Sequence, residues 1–127
     1  MVIVSDIKNI SLVEKLIDDL TSRFKLHSDV YGKILLAVVE GVNNAIIHGN
    51  RADKSKHVII DYEVNDSDLV FVIQDEGKGF DYKRLPDPTL PGNIELTSGR
   101  GVYLMKHLAD VLEFNEIGNH VKLVFNK

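Results

Sequence analysis

Glu40, Asn44 and His48 recur at four-residue intervals inside the apolar stretch of residues 34–50. On a helix, positions i, i+4 and i+8 lie on one face, one above the other. A carboxylate, an amide and an imidazole in line on an otherwise aliphatic helix must meet partners or border a cavity. Oxygen and nitrogen donors of this kind suit a metal ion or a polar ligand. The Asn44 side-chain oxygen is a candidate Mg²⁺ ligand. Glu40, one turn away, is placed to hold a metal-bound water or to accept a proton. His48 has three readings: a satisfied core histidine, a charge at the helix C-terminus, or a ligand contact.

Two glycine-bearing elements add to this row. Asp75-Glu76-Gly77-Lys78-Gly79 follows an apolar run. A carboxylate there can accept a hydrogen bond from an exocyclic amine such as that of adenine. Gly77 and Gly79 permit positive φ and close backbone approach. The same pattern also occurs in plain turns. Ser98-Gly99-Arg100-Gly101 stands where an irregular stretch gives way to helical spacing. Helix N-terminal N–H groups beside glycines make an anion site, and Arg100 adds a bidentate cation. The plainer reading is a glycine-bearing helix start with Arg100 solvated. Neither the phosphate-loop pattern nor the dinucleotide fingerprint is present.

The elements that must position these groups follow from periodicity. Residues 2–4 suggest a short strand. Ser11 with Glu14 reads as a capping box, opening a helix on Leu12, Leu16, Ile17, Leu20 and Phe24. Ser28 or Asp29 caps a second helix, expected to be buried on most sides and to stop at Gly49. Residues 58–63 and 69–74 read as strands of a hairpin, the second buried on both faces. Residues 75–98 hold all three prolines and no apolar period, which suggests a functional loop. Val102, Met105, Leu108, Ala109 and Leu112 fit a third helix. Residues 111–116 and 121–125 read as a closing hairpin about Gly118-Asn119. The expected fold is a single α+β domain over residues 1–127. It is a two-layer sandwich, a mixed and mostly antiparallel sheet with helices on one face.

Composition narrows the function. With 127 residues the chain suffices for one core. There is no cysteine, so disulfides and thiolate metal sites are excluded. A net charge of −4 argues against a general nucleic-acid binder. No uninterrupted apolar run approaches the roughly 18 residues of a membrane span, and the N-terminus does not read as a signal peptide. The expectation is a cytoplasmic protein that binds neither membrane nor nucleic acid.

Taken in order, these motifs resemble those of the GHKL (Bergerat-fold) ATPases, which include histidine kinases and gyrase-type topoisomerases. Glu40-Gly-Val-Asn-Asn44-Ala45-Ile-Ile-His48-Gly49 resembles the family's N box. Asp75-Glu-Gly77-Lys-Gly79 resembles its first glycine box and Gly99-Arg-Gly101 its second. The form of the N box and the short chain are most similar to bacterial anti-sigma-factor serine/threonine kinases. The resemblance implies that Asn44 coordinates Mg²⁺ on ATP and that Glu40 is a general base toward a substrate hydroxyl. It implies that Asp75 binds the adenine amine in a pocket shaped by Gly77 and Gly79. Residues 80–98 would be the ATP lid, with Ser98, Gly99, Arg100 and Gly101 at the phosphates and Arg100 either on the γ-phosphate or on a partner. The second glycine box departs from many relatives by carrying Tyr103 where a further glycine stands. The implied partners are a small antagonist protein as phosphorylation substrate and a sigma factor or similar regulator. A homodimer is expected from relatives, with the first helix and opening strand as candidate contacts. The alternative is a catalytically weak module that binds a protein in an ATP-dependent manner.

Overall fold

A computed structural model describes residues 1–78 and 97–127, with backbone alone for residues 97–100. Strand β1 (Val2–Val4) leads through a single 3₁₀ turn into helix α1 (Ile10–Phe24), followed by α2 (Ser28–Asn44). Strands β2 (His57–Val64) and β3 (Asp68–Gln74) form the expected hairpin. Helix α3 (Thr97–Leu108), β4 (Val111–Phe114) and β5 (His120–Asn126) complete the order. The strands lie in one sheet ordered β1-β2-β3-β5-β4, and every pairing among the described residues is antiparallel. The helices pack on one face, so the α+β two-layer expectation holds, while the sheet expected to be mixed is wholly antiparallel among the described residues.

The core is the layer between sheet and helices. Val58 and Ile60 from β2, Leu69, Phe71 and Ile73 from β3, and Val121, Leu123 and Phe125 from β5 alternate inward with the period of two of a pleated strand. They meet Ile34, Ala37, Val38 and Val42 of α2. Phe71 and Phe125 touch edge to face, with ring centroids 6.1 Å apart. β3 is therefore buried on one face only: Asp68, Val70 and Val72 are half-buried and Gln74 is exposed, because a two-layer fold leaves the outer sheet face without a cover. The same geometry corrects the expectation for α2, where Leu36 is 45% exposed on the outer side of the helix layer. Ser28–Gly49 is also long and apolar enough, by length and composition, to cross a bilayer. Its apolar character here serves packing against α1, α3 and the sheet.

Three boundaries differ from the sequence expectation. Ser11 does not cap α1: Asp6 accepts from the Lys8 N–H at the start of the 3₁₀ turn, and the Ser11 hydroxyl donates back to the Lys8 carbonyl. The buried stripe of α1 is Val13, Ile17 and Leu20, while Leu12 is 46% exposed. Ile17 and Leu20 are buried as the periodicity predicts and Leu16 is partly buried, while docking against α2 buries Val13 in place of the adjacent Leu12. The α2 cap is His27, whose Nδ1 accepts from the Asp29 N–H. Leu112 lies on β4 and not on α3. Asp110 donates its N–H to Val124 and accepts from the Asn126 N–H, so the chain joins the sheet before a further helical turn forms.

Candidate functional site

Glu40 and Asn44 sit one turn apart on α2, as their spacing requires. Opposite them is Gly101 of α3. A Cβ on Gly101 would stand 3.3 Å from both Asn44 Oδ1 and Glu40 Oε2. The glycine thus lets α3 approach the acid–amide pair. Because α3 begins at Thr97, Ser98, Gly99 and Arg100 fall in its first turn, where N–H groups have no intrahelical acceptor. Gly101 is the fifth helical residue, so its contribution is the absence of a side chain and not a free N–H. The helix also starts two residues inside the expected lid. The remainder of residues 80–98, and Gly79, lie outside the described residues.

After Asn44 the chain makes a π-helical turn over Ala45–Gly49. Such turns are rare and tend to occur at functional sites. The wider turn moves His48 out of the regular i+8 register. It is exposed, yet it still borders the same cavity as Asn44. The turn ends through Arg51 and Ala52, both in the left-handed region with φ of 53° and 54°. Gly49 is not the left-handed residue that a helix stop suggests. Its role is close approach: a Cβ there would lie 2.3 Å from Asp75 Oδ2.

Asp75 follows β3 and is 8% exposed. Its N–H donates to the Asn119 carbonyl at 3.0 Å, and its Oδ1 accepts from the Gly77 N–H at 2.7 Å. A Cβ on Gly77 would lie 2.1 Å from the Gly49 carbonyl oxygen, so Gly77 also permits a close backbone approach. Burial raises the Asp75 carboxyl above its ordinary range, opposed by the Gly77 N–H and by the charge of Lys56.

Asn44, His48, Gly49 and Asp75 border one cavity of about 280 Å³, close to the small end of the roughly 300–1,000 Å³ typical of ligand pockets, whereas Glu40, Gly77 and Gly101 are not among its lining residues. Asn44, His48 and Asp75 contribute polar groups to its wall. Ile73, Met105, Phe114 and Val121 supply apolar surface suited to a planar ring. Gly41 lines it too, and lets α2 approach the sheet: a Cβ there would meet Ile73 Cδ1 at 2.7 Å. The sequence marks a hairpin turn at Gly118-Asn119 but gives it no part in the site. Gly118, Asn119 and His120 close one side of the cavity, with the Asn119 side chain donating to the Gly77 carbonyl. An Asn-rich turn carries no local mark that separates a pocket wall from any other hairpin.

The donor chemistry fits a hard cation beside phosphates. Asn44 offers an amide oxygen and Glu40 a carboxylate oxygen, both next to the first turn of α3. Among the described residues there is no cluster of three or more His, Cys, Asp or Glu. A cation here would complete its shell with phosphate and water oxygens, as Mg²⁺ prefers.

The chain matches the histidine kinase-like ATPase domain family over residues 3–125. It is 34% identical over 97 residues to an anti-sigma F factor of Clostridium perfringens, covering 74% of this chain and 69% of that one. It is 27% identical over 107 residues to the serine-protein kinase RsbW of Bacillus subtilis, covering 80% of this chain and 67% of that one. Among solved structures, the histidine kinase domain of the Erythrobacter litoralis EL346 blue-light activated histidine kinase superposes with a TM-score of 0.52 at 22% identity. That match covers 77% of this chain but 44% of the kinase chain, and it bears on the fold alone.

Proposed function

Since the chain belongs to the histidine kinase-like ATPase family, among the anti-sigma-factor kinases of the GHKL superfamily, we propose that it transfers the γ-phosphoryl group of ATP to a serine or threonine of a small antagonist protein. We further propose that it binds a sigma factor or an analogous regulator. The observation that carries this reading is the convergence of Asn44 and Asp75 on one cavity, with Glu40 one turn from Asn44 and across from Gly101.

Asp75 accepts from the amine of the base, and the apolar walls at Ile73, Met105 and Val121 hold the ring. Asn44 would hold Mg²⁺, which neutralises phosphate charge when bound. The first-turn N–H groups of α3 face the anionic end. Glu40 takes the proton of the attacking hydroxyl as the new P–O bond forms and ADP departs. Plain nucleotide binding needs no base, and Glu40 beside Asn44 therefore favours transfer over a binding module alone. The working unit is proposed to be a cytoplasmic homodimer, consistent with β1 being an edge strand whose Val2 is 62% exposed.

The test is label transfer from ATP with Mg²⁺ to a candidate antagonist. The native protein should transfer label. Glu40→Gln should bind ATP with native affinity and transfer none. Native binding without transfer would move the conclusion to the binding-module reading, and undiminished transfer by Glu40→Gln would remove Glu40 as the base.

A further inference from the structure

Asn50 is 1% exposed and carries no part of the chemistry above. Its side chain is nonetheless fully engaged. Nδ2 donates to the Ser5 hydroxyl at 2.5 Å and to the His57 carbonyl at 2.9 Å. Oδ1 accepts from the Glu76 N–H at 2.8 Å. One buried amide thus joins the end of β1, the start of β2 and the loop that carries Asp75. Its own N–H donates to the Ala45 carbonyl at 2.8 Å, which ties it to the π-helical turn after Asn44.

The Glu76 N–H belongs to the peptide unit directly after Asp75. Holding it fixes the plane of that unit and hence the direction in which the Asp75 Cα–Cβ bond points. The Asp75 N–H on the other side is held by Asn119. Glu76 is secured further by its carboxylate, which accepts from the His57 N–H. Asp75 is therefore clamped from both flanks, and the clamp facing α2 is a side chain rather than backbone. A side-chain amide suits this task because it donates twice and accepts at once, in a plane fixed by its own bonding. A buried network of this kind is rigid only when every member is satisfied.

We propose that Asn50 is a positioning residue for base recognition. Through Glu76 it holds the Asp75 carboxylate where the amine of adenine must arrive, and it sets that carboxylate relative to the helix bearing Asn44. The inference rests on the adenine reading of Asp75. It assigns base selectivity to a residue that lies outside the cavity lining.

The experiment is calorimetric titration of the whole chain with Mg²⁺ and either ADP or IDP. The base of IDP carries a carbonyl oxygen in place of the adenine amine. The native chain should prefer ADP. Asn50→Ala should reduce the ADP-to-IDP affinity ratio by about tenfold or more, the scale on which a misplaced polar contact to a ligand acts. Asn50→Asp keeps an acceptor for the Glu76 N–H and should hold the ratio within about threefold of native at lower stability. Ser5→Ala breaks the network on its far side, and should lower the melting temperature without moving the ratio. If Asn50→Ala does not fold, Asn50→Ser takes its place, being too short to reach Glu76. A native ratio in the Asn50→Ala or Asn50→Ser protein overturns the proposal, as does its collapse in Asn50→Asp. If the native chain shows no preference for ADP, the adenine reading of Asp75 fails first.

Discussion

The Gly49 Cα abuts the Asp75 carboxylate so closely that a Cβ on residue 49 would overlap it, 2.3 Å from Oδ2 and 2.7 Å from Oδ1. The carboxylate cannot swing aside, because Oδ1 holds the Gly77 N–H. The end of the π-helical turn and the end of β3 are thus fitted to each other at the point where the ligand acceptor stands.

This contact gives the same substitution opposite signs at two glycines. Gly49→Ala should destabilise the protein by about 1–3 kcal/mol through overpacking and weaken ADP binding at least about tenfold. Gly32→Ala, on an exposed turn of α2 with nothing within 4 Å of the new methyl, should stabilise it by about 0.5–1 kcal/mol and leave binding alone. Thermal melts and calorimetry of the two variants check the pair. Equal effects would show that residue 49 is not confined.

Asp75→Asn separates stability from recognition. The amide can still accept from the Gly77 N–H, but it carries no charge to be desolvated. The variant should be at least as stable as the native protein near neutral pH and should lose about 100-fold in ADP affinity, because its oxygen stays on the Gly77 N–H and the amino group that replaces Oδ2 donates where the ligand amine needs an acceptor. A lower melting temperature with binding intact would contradict both halves.

The raised Asp75 pKa has a consequence with a defined sign. The folded state holds this proton more tightly than the unfolded chain, whose ordinary value is 3.8. The stability contributed by this group is fully present below 3.8 and is lost as pH rises through the folded value. Adenine binding runs the other way, since the ionised carboxylate is the acceptor. ADP affinity should therefore fall on acidification at a pH above 3.8, and this step should vanish in Asp75→Asn. Titrations across the acid range read it directly; an affinity flat down to pH 3.8 would count against an ionised acceptor.

Gly101→Ala probes the other end of the site. Its methyl would crowd Asn44 Oδ1 and Glu40 Oε2 equally, at 3.3 Å. Alanine is the better helix former by about 1 kcal/mol, which offsets this crowding in the empty protein. The expected result is a melting temperature near native, with Mg²⁺-ATP affinity reduced at least about tenfold. Native affinity would show that α3 does not approach the ligand here.

Much of the site can be read from local pattern. Glu40 and Asn44 share a face because both lie within one regular helix, and Asp75 is marked by the end of a continuous apolar run. Where two local solutions satisfy the same period, pattern stops short. On α1 the period picks out Ile17 and Leu20, but whether Leu12 or the adjacent Val13 completes their stripe is decided by the neighbouring helix, which buries Val13. Asn50 and Asn119 are invisible in the sequence for a related reason. Each looks like an ordinary turn residue, and its importance lies in hydrogen bonds to distant residues.

By itself the sequence determines the order and type of the elements, the antiparallel hairpins and the acid–amide pair, since these follow from spacing along the chain. Only the tertiary structure decides that Gly49 meets Asp75, that Gly101 faces Glu40 and Asn44, and that Asn50 holds the Asp75 loop. Those relationships depend on how helix and sheet layers dock. Docking is selected by packing and by satisfying buried polar groups, not by any period in the chain.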